Sequence, residues 1–309
     1  MKITAVTVTL VQWPLKMKRS HGIGSIETRM GGVILRLDTD SGLVGWGEAA
    51  PWSVFSGTAE ANAAALHVYM RPHIIGANPR NITTIMQACD HAVVAHPEAK
   101  AALEMALFDL KGKALGVPVA ELLGGVYRET IPLSCSVANP DFAADLEFVA
   151  QRLTEGVRLF KVKTGFSTHK NDLARLEKLK SIMPPDAELR VDYNQGLQPW
   201  DAIRQLRNIE AFNPGFIEQP VPRDQRAALG EITRALDTPI LADESVFSPG
   251  EAIGLVRDRF ADCVSIKLMK CGGMLPAKDI AAITQAAGMP CYGGTMFEGG
   301  VAVAASIRC

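Results

Sequence analysis

The feature that most constrains this chain is an alternation that starts near Ile131 and continues to its last residues. Short β-rich runs recur at Leu133–Val137, Arg158–Lys163, Leu189–Asp192, Phe216–Glu218, Ile240–Asp243, Val264–Lys267 and Pro290–Gly293. Helical stretches separate them: Phe142–Thr154, Lys170–Ile182, Trp200–Asn208, Arg226–Leu236, Gly250–Asp258, Ala277–Ala287 and a last one from Gly299. Repeated strand–helix units imply parallel strands joined by right-handed crossovers. Seven such strands and seven helices predict an α/β fold, a (β/α)8-type barrel lacking its last strand, over residues 130–309. An open doubly wound sheet is the alternative that the pattern leaves.

Residues 1–129 have a different texture and read as an α+β unit. Strand-like segments occur at Met1–Leu15, Gly32–Leu37 and Val44–Glu48, with Asp38–Gly42 as a turn between the last two. Met1–Leu15 has the length of a short signal peptide. However, Ile3–Leu10 alternates apolar residues with Thr, and Lys16-Met17-Lys18-Arg19 stands where a cleavage site would need small residues, so a strand is expected. Thr58 is placed to cap a helix running to about Met70, and Pro97 to open a longer one. In that longer helix Leu103, Ala106, Leu107, Leu110 and Ala114 keep helical spacing until Gly116 and Pro118 stop it.

Composition narrows the partners. An apolar share of 48% supplies a large core, and a net charge of −1 gives no basic footprint for nucleic acid or an anionic membrane. No apolar run reaches the ~18 residues of a membrane span. Six scattered cysteines with no C-x-x-C pair read as reduced core thiols of a cytosolic protein. H-E-x-x-H, G-x-G-x-x-G, Walker and G-x-S-x-G patterns are all absent.

Five successive strand ends carry an ionisable group. Lys161-Val162-Lys163 closes the second strand, Asp192 the third, Glu218 the fourth, Asp243 the fifth and Lys267 the sixth, at intervals of 24 to 29 residues from Lys163 onward. This is the face on which barrels hold their active sites. Any one acid there is usually a turn residue or helix cap, and a lone Lys usually snorkels, but five in consecutive units are hard to dismiss. Period 2 along the strand puts Lys161 and Lys163 on one face. Three converging carboxylates would repel one another without a cation, and all-oxygen ligands select Mg²⁺, or Mn²⁺. Lys163 and Lys267 are expected to face each other across the mouth, with pKa values lowered by burial and neighbouring cations.

These residues carry a resemblance. K-V-K at 161–163, V-D-Y-N-Q at 191–195, F-I-E-Q-P at 216–220, L-A-D-E-S at 241–245 and I-K-L-M-K-C-G-G at 266–273 resemble the enolase superfamily. Within its mandelate racemase/muconate lactonizing enzymes they resemble the muconate cycloisomerase subgroup, and A-L-F-D-L-K-G-K-A-L-G-V-P-V-A-E-L-L-G-G at 106–125 is similar to the capping-domain helix and hinge of that family. The resemblance implies a capping domain (1–129) over the barrel, bound Mg²⁺ or Mn²⁺, and proton transfer α to a carboxylate through an enediolate. Asp192, Glu218 and Asp243 match its metal ligands, Lys163 its acid/base, Lys267 the opposite lysine, and Lys161 an added positive charge.

Substrate contacts are implied for Asn194, Ser134 and, within Y-G-G-T-M-F-E-G at 292–299, for Thr295, Phe297 and Glu298. His21, Trp52 and Phe55 fall in segments that close over substrate, where pocket lining and simple packing both remain open. A muconate-type cycloisomerase is the leading expectation, with an amino-acid or dipeptide racemase/epimerase as the alternative. A dehydratase comes third, and an inactive fragment or binding protein is the non-enzyme alternative. The expected partner is a small carboxylate, the expected state a cytoplasmic homo-oligomer. The family pattern continues into an eighth, acid-bearing strand, so a chain that stops at Cys309 within an apolar helix reads as truncated.

Overall fold

The computed structural model describes residues 1–308. Its N-terminal part is a three-stranded antiparallel sheet, β1 (Ile3–Pro14), β4 (Arg29–Thr39) and β5 (Val44–Ala49), in the order β1-β4-β5. The alternating Thr-rich start is therefore a strand, paired to β4 from Ile3–Thr39 through Pro14–Arg29. Between β1 and β4 lies a hairpin that the sequence analysis did not anticipate, β2 (Arg19–His21) and β3 (Gly24–Ile26).

The helix capped by Thr58 comprises α1 (Ala59–Ala64), a wide π turn over Ala65–Met70 and α2 (Arg71–Ile74). A second unanticipated element, α3 (Ile82–Ala92), buries Ile82, Ile85 and Cys89 at helical spacing. Then come α4 (Pro97–Leu115), opened by Pro97 and closed by Gly116 at φ +70°, and the short α5 (Val119–Leu122). Small residues let α4 lie almost on β5: a Cβ at Gly47 would fall 1.9 Å from Ala102 O, and one at Gly45 2.3 Å from Ala106 O.

The C-terminal part alternates as expected. Its strands are β6 (Ser134–Val137), β7 (Leu159–Lys163), β8 (Glu188–Asp192), β9 (Ile217–Glu218), β10 (Ile240–Ala242), β11 (Cys263–Ile266) and β12 (Cys291–Gly293). The intervening helices are α6 (Phe142–Thr154), α7 (His169–Ile182), α8 (Pro199–Glu210), α9 (Arg226–Ala235), α10 (Pro249–Asp258), the short α11 (Leu268–Cys271), α12 (Met274–Ala286) and α13 (Gly300–Arg308). Among the described residues these seven strands pair in strict chain order, all parallel, without the switch in strand order of a doubly wound sheet.

The sheet curls. Lys161 Nζ on β7 lies 5.6 Å from the Tyr292 ring centroid on β12, although β7 and β12 stand five positions apart in the sheet, about 24 Å if it were flat. Phe216, Leu241, Cys263 and Tyr292 fill the interior of this incomplete barrel.

Not every cysteine is a core thiol. Cys89, Cys263 and Cys271 are buried, but Cys135 is half-buried and Cys291 is exposed, and Cys309 lies outside the described residues. Among those residues no helix is long and apolar enough to cross a membrane.

Candidate active site at the strand ends

Register brings the ionisable groups together. Lys163 pairs with Asp192, Asp192 with Glu218, and Glu218 with Leu241, which lies two residues before Asp243. Paired residues of a parallel sheet share a face, so these side chains all point into the barrel mouth. Asp192, Glu218 and Asp243 are completely buried there, with Lys163 and Lys267 each only 6% exposed.

Buried charges persist only when paired, and here each carboxylate meets ammonium groups. Lys161 Nζ reaches Glu218 Oε2 at 2.6 Å and Asp192 Oδ2 at 3.2 Å. Lys163 donates to Asp192 Oδ2 and, at 2.7 Å, to Asn194 Oδ1. Lys267 Nζ stands 2.5 Å from Asp243 Oδ2. Lys270 completes the set, donating to Asp243 Oδ1 at 2.9 Å and to Asp243 O at 2.7 Å.

The lysines diverge electrostatically. Burial, with Lys161 and Lys267 adding to it against Asp192, holds the Lys163 pKa below the usual lysine range. Burial also opposes the charge on Lys267, but Asp243 and then Glu218 outweigh it and raise its pKa. Lys161 is likewise raised against burial, by Glu218 and Asp192. The expectation of lowered lysines thus holds for Lys163 alone. The reason is local: Lys267 and Lys161 gain more from their carboxylates than they lose in hydration. Burial, then Asp192, raises Glu218 against the pull of Lys161, whereas Lys163 and Lys161 overcome burial to bring Asp192 down to about 2.

Asn194 organises one side of the mouth. In a left-handed conformation (φ +41°), which asparagine tolerates, its backbone N–H donates to Asp192 Oδ1 at 2.9 Å. Its side-chain oxygen accepts from Lys163 and lies 3.3 Å from His21 Nδ1, while its Nδ2 donates to Glu244 Oε1 at 3.0 Å. From the capping side, His21, Trp52 and Phe297 pack edge to face, with ring centroids 4.9–5.8 Å apart. Phe55 lies 5.0 Å below the Lys267 ammonium and 5.5 Å from Phe247. His21, Trp52, Phe55, Phe297 and Asn194 are therefore all brought to the mouth.

Three anticipated substrate contacts fare differently. Ser134 pairs with Leu159 at the opposite end of β7 from Lys163, four residues or about 13 Å away along the strand. It is removed from the mouth, because the first barrel strand reaches the strand-end level only near Val137 and Ala138. Thr295 is exposed and its side chain makes no hydrogen bond among the described residues. Glu298 turns back on its own loop, accepting from Met296 N at 2.7 Å.

Sequence reasoning also missed residues. Lys270 lies one helical turn beyond Lys267 in I-K-L-M-K, and Glu244 stands beside Asp243 in L-A-D-E-S. Gln219 is fully buried, and its Oε1 accepts from Asp243 N at 3.0 Å and Ser245 N at 3.1 Å, fixing the end of β10. The motif letters contained all three; only their contacts assign them a job.

Among the described residues, no group of three His, Cys, Asp or Glu side chains forms a closed metal cage, because the carboxylate oxygens turn toward lysines. The donor set nonetheless suits a hard divalent cation, being all oxygen, and Glu218 Oε1 is buried without a hydrogen-bond partner.

Comparison with known proteins follows the same division. Residues 3–124 match the mandelate racemase / muconate lactonizing enzyme N-terminal domain, and residues 144–309 the enolase C-terminal domain-like family. The chain is 36% identical over 304 residues to an L-Ala-D/L-Glu epimerase of Bacillus subtilis, covering 96% of this chain and 82% of the relative. It is 35% identical over 314 residues to a chloromuconate cycloisomerase of Cupriavidus pinatubonensis, covering 100% and 84%. A dipeptide epimerase from Enterococcus faecalis, solved with Mg and the dipeptide L-Leu-L-Tyr, superposes with a TM-score of 0.94 at 31% identity, over 100% of this chain and 86% of that one.

Proposed function

Because the chain belongs to the enolase superfamily, in its mandelate racemase/muconate lactonizing enzyme branch, we propose that it is an isomerase moving a proton at the carbon α to a small carboxylate. The observation that carries this reading is the buried ring of Lys161, Lys163 and Lys267 against Asp192, Glu218 and Asp243.

Asp192, Glu218 and Asp243 would hold Mg²⁺ or Mn²⁺, which when bound supplies positive charge for the substrate carboxylate and the enediolate that replaces it. Lys163, with its lowered pKa, takes or returns the α-proton at Nζ. Lys267, kept cationic by Asp243, stands as acid or as fixed charge from the sixth strand. Lys161 adds positive charge beside the developing dianion. These charges accelerate the step only so far as they stabilise the enediolate more than the substrate. His21, Trp52, Phe55 and Phe297 exclude water above it.

Two reactions end this shared step differently. Cycloisomerisation of a muconate-type dicarboxylate needs one proton, handled by Lys163, and the raised pKa of Lys267, which favours its charged form, suits it. Racemisation or epimerisation needs an acid and a base on opposite faces, and two lysines held by different carboxylates favour that. Proton exchange in D₂O over a library of small carboxylates, with Lys163→Arg and Lys267→Arg, tests the proposal. For a cycloisomerase, Lys267→Arg retains measurable lactone formation, down about 10²–10³-fold in kcat, while Lys163→Arg does not. Complete loss in both, with exchange specific to one enantiomer in each Ala variant, identifies an epimerase. Exchange that survives undiminished in a variant carrying both Lys163→Ala and Lys267→Ala would sink the reading.

A further inference from the structure

Asp243 is held at four points. Its backbone N–H donates to Gln219 Oε1 at 3.0 Å. Lys270 Nζ donates twice to the same residue, to the backbone O at 2.7 Å and to the carboxylate Oδ1 at 2.9 Å. Gln219 and Lys270 are sealed in the fold, 0% and 1% exposed. The Phe247 ring, its centroid 5.8 Å from the Lys270 ammonium, covers that group further. The fourth partner is Lys267, whose Nζ holds Oδ2 within the lysine–carboxylate ring of the mouth.

Asp192 is treated alike by different means. Its Oδ1 accepts from the backbone N–H of Asn194 at 2.9 Å, and its Oδ2 meets Lys161 and Lys163. Each aspartate thus has one oxygen on a donor that the fold fixes and one on lysines of the ring. A backbone N–H cannot swing away. Lys270 is nearly as constrained, because leaving Oδ1 would strand a buried ammonium short of its counter-ion. Glu218 differs, with Oε2 on Lys161 and Oε1 buried without a hydrogen-bond partner among the described residues.

We propose that Lys270 is a positioning residue that reserves Asp243 Oδ1, so that each aspartate of the trio offers a cation one oxygen only and Ca²⁺ is disfavoured against Mg²⁺. The inference rests on the metal trio of the reading above and assigns the residue that tunes its choice of ion. Mg²⁺ takes its ligands near-octahedrally at about 2.0–2.1 Å, whereas Ca²⁺ takes about six to eight at about 2.3–2.6 Å and often both oxygens of a carboxylate. An ammonium on Oδ1 closes that two-oxygen mode at Asp243, as the Asn194 N–H closes it at Asp192. The charge of Lys270 repels both divalent ions alike, so charge by itself sets no preference between them.

The test is read on ion binding, without substrate. Titration calorimetry on EDTA-stripped protein compares Mg²⁺ with Ca²⁺ in the wild type and in Lys270→Met, which keeps an unbranched side chain but has no donor. The wild type is expected to bind Mg²⁺ more tightly, and Lys270→Met to lower the ratio of Ca²⁺ to Mg²⁺ dissociation constants by about tenfold or more. A charge role alone would tighten both ions together, and lost packing alone would weaken both. In either case the ratio would stay put and the assignment would fall, as it would if the wild type preferred Ca²⁺. A crystal structure of the Mg²⁺-loaded wild type checks the same point without a variant, and decides alone if Lys270→Met does not fold. Lys270 should remain on Asp243 Oδ1 while Lys267 has left Oδ2; Lys270 displaced, or both Asp243 oxygens on the ion, would overturn the proposal. No divalent ion bound by the wild type would overturn the metal trio and this assignment with it, whereas binding with an unchanged ratio overturns the part of Lys270 alone.

Discussion

Lys163 and Lys267 are the same side chain in different company. Lys163 shares Asp192 with a second ammonium, Lys161, whereas Asp243 faces Lys267 and Lys270 through separate oxygens. Charge sharing of this kind also bears on the carboxylates. Glu218 has one oxygen on Lys161 and the other without a partner, and burial raises its pKa, so it is the member of the trio least satisfied by protein groups. Glu218→Gln is therefore expected to weaken Mg²⁺ binding by at least about tenfold in titration calorimetry while leaving the circular dichroism spectrum unchanged. Full turnover by EDTA-treated protein would show that the trio is not a metal site. At this scale much was legible, since each lysine and carboxylate could be placed from strand-end spacing alone. Lys270 and Glu244 were not, because their roles depend on which neighbour they reach.

Two barrel helices begin on carboxylates supplied by the capping part. Glu104 on α4 accepts from Met274 N and from Leu275 N, the latter at 3.2 Å, at the start of α12. Glu48 on β5 accepts from Gly299 N and, at 3.1 and 3.2 Å, from Val301 N and Ala302 N at the start of α13. A buried carboxylate at a helix N-terminus satisfies donors that have no partner within the helix. Burial still raises the Glu104 pKa from 4.5 to about 7 against those two hydrogen bonds. The folded state then holds more protons than the unfolded one between these values, so the contribution of Glu104 to stability falls as pH rises from about 4.5 to 7. Relative to the wild type, Glu104→Gln should accordingly gain on the order of 3 kcal/mol between pH 5 and pH 8. Urea unfolding at the two pH values measures this, and a pH-independent difference would contradict it. Neither glutamate could be recognised as a cap from sequence, because the helix each one serves lies more than 150 residues further on.

At the scale of the whole molecule, one continuous hydrophobic cluster runs from the β1-β4-β5 sheet through α4 into the barrel. Trp13 Nε1 donates to Phe297 O at 2.9 Å, a further tie between the first strand and the loop after β12. The two parts share buried surface as well as these bonds, so a single calorimetric transition is expected, with calorimetric and van't Hoff enthalpies in agreement. Glu48→Ala with Glu104→Ala should lower its midpoint by several degrees without splitting it. Two resolved transitions in the wild type would show that capping part and barrel fold independently.

By itself the sequence determined the order of barrel strands and helices, the long helix α4 and the five ionisable strand ends, because period, caps and spacing are local properties that a chain carries in its own letters. It missed α3, where Asn81 makes no side-chain capping bond, and the β2–β3 hairpin, whose strands are only three residues each. Tertiary structure alone decided that the sheet curls, that Ser134 sits at the wrong end of its strand, and that Lys267 is raised while Lys163 is lowered. It also decided that His21 meets Asn194, 173 residues away in the chain. Protonation and hydrogen-bond polarity are set by which charges and lone pairs meet after desolvation, and those meetings exist only once distant segments have packed.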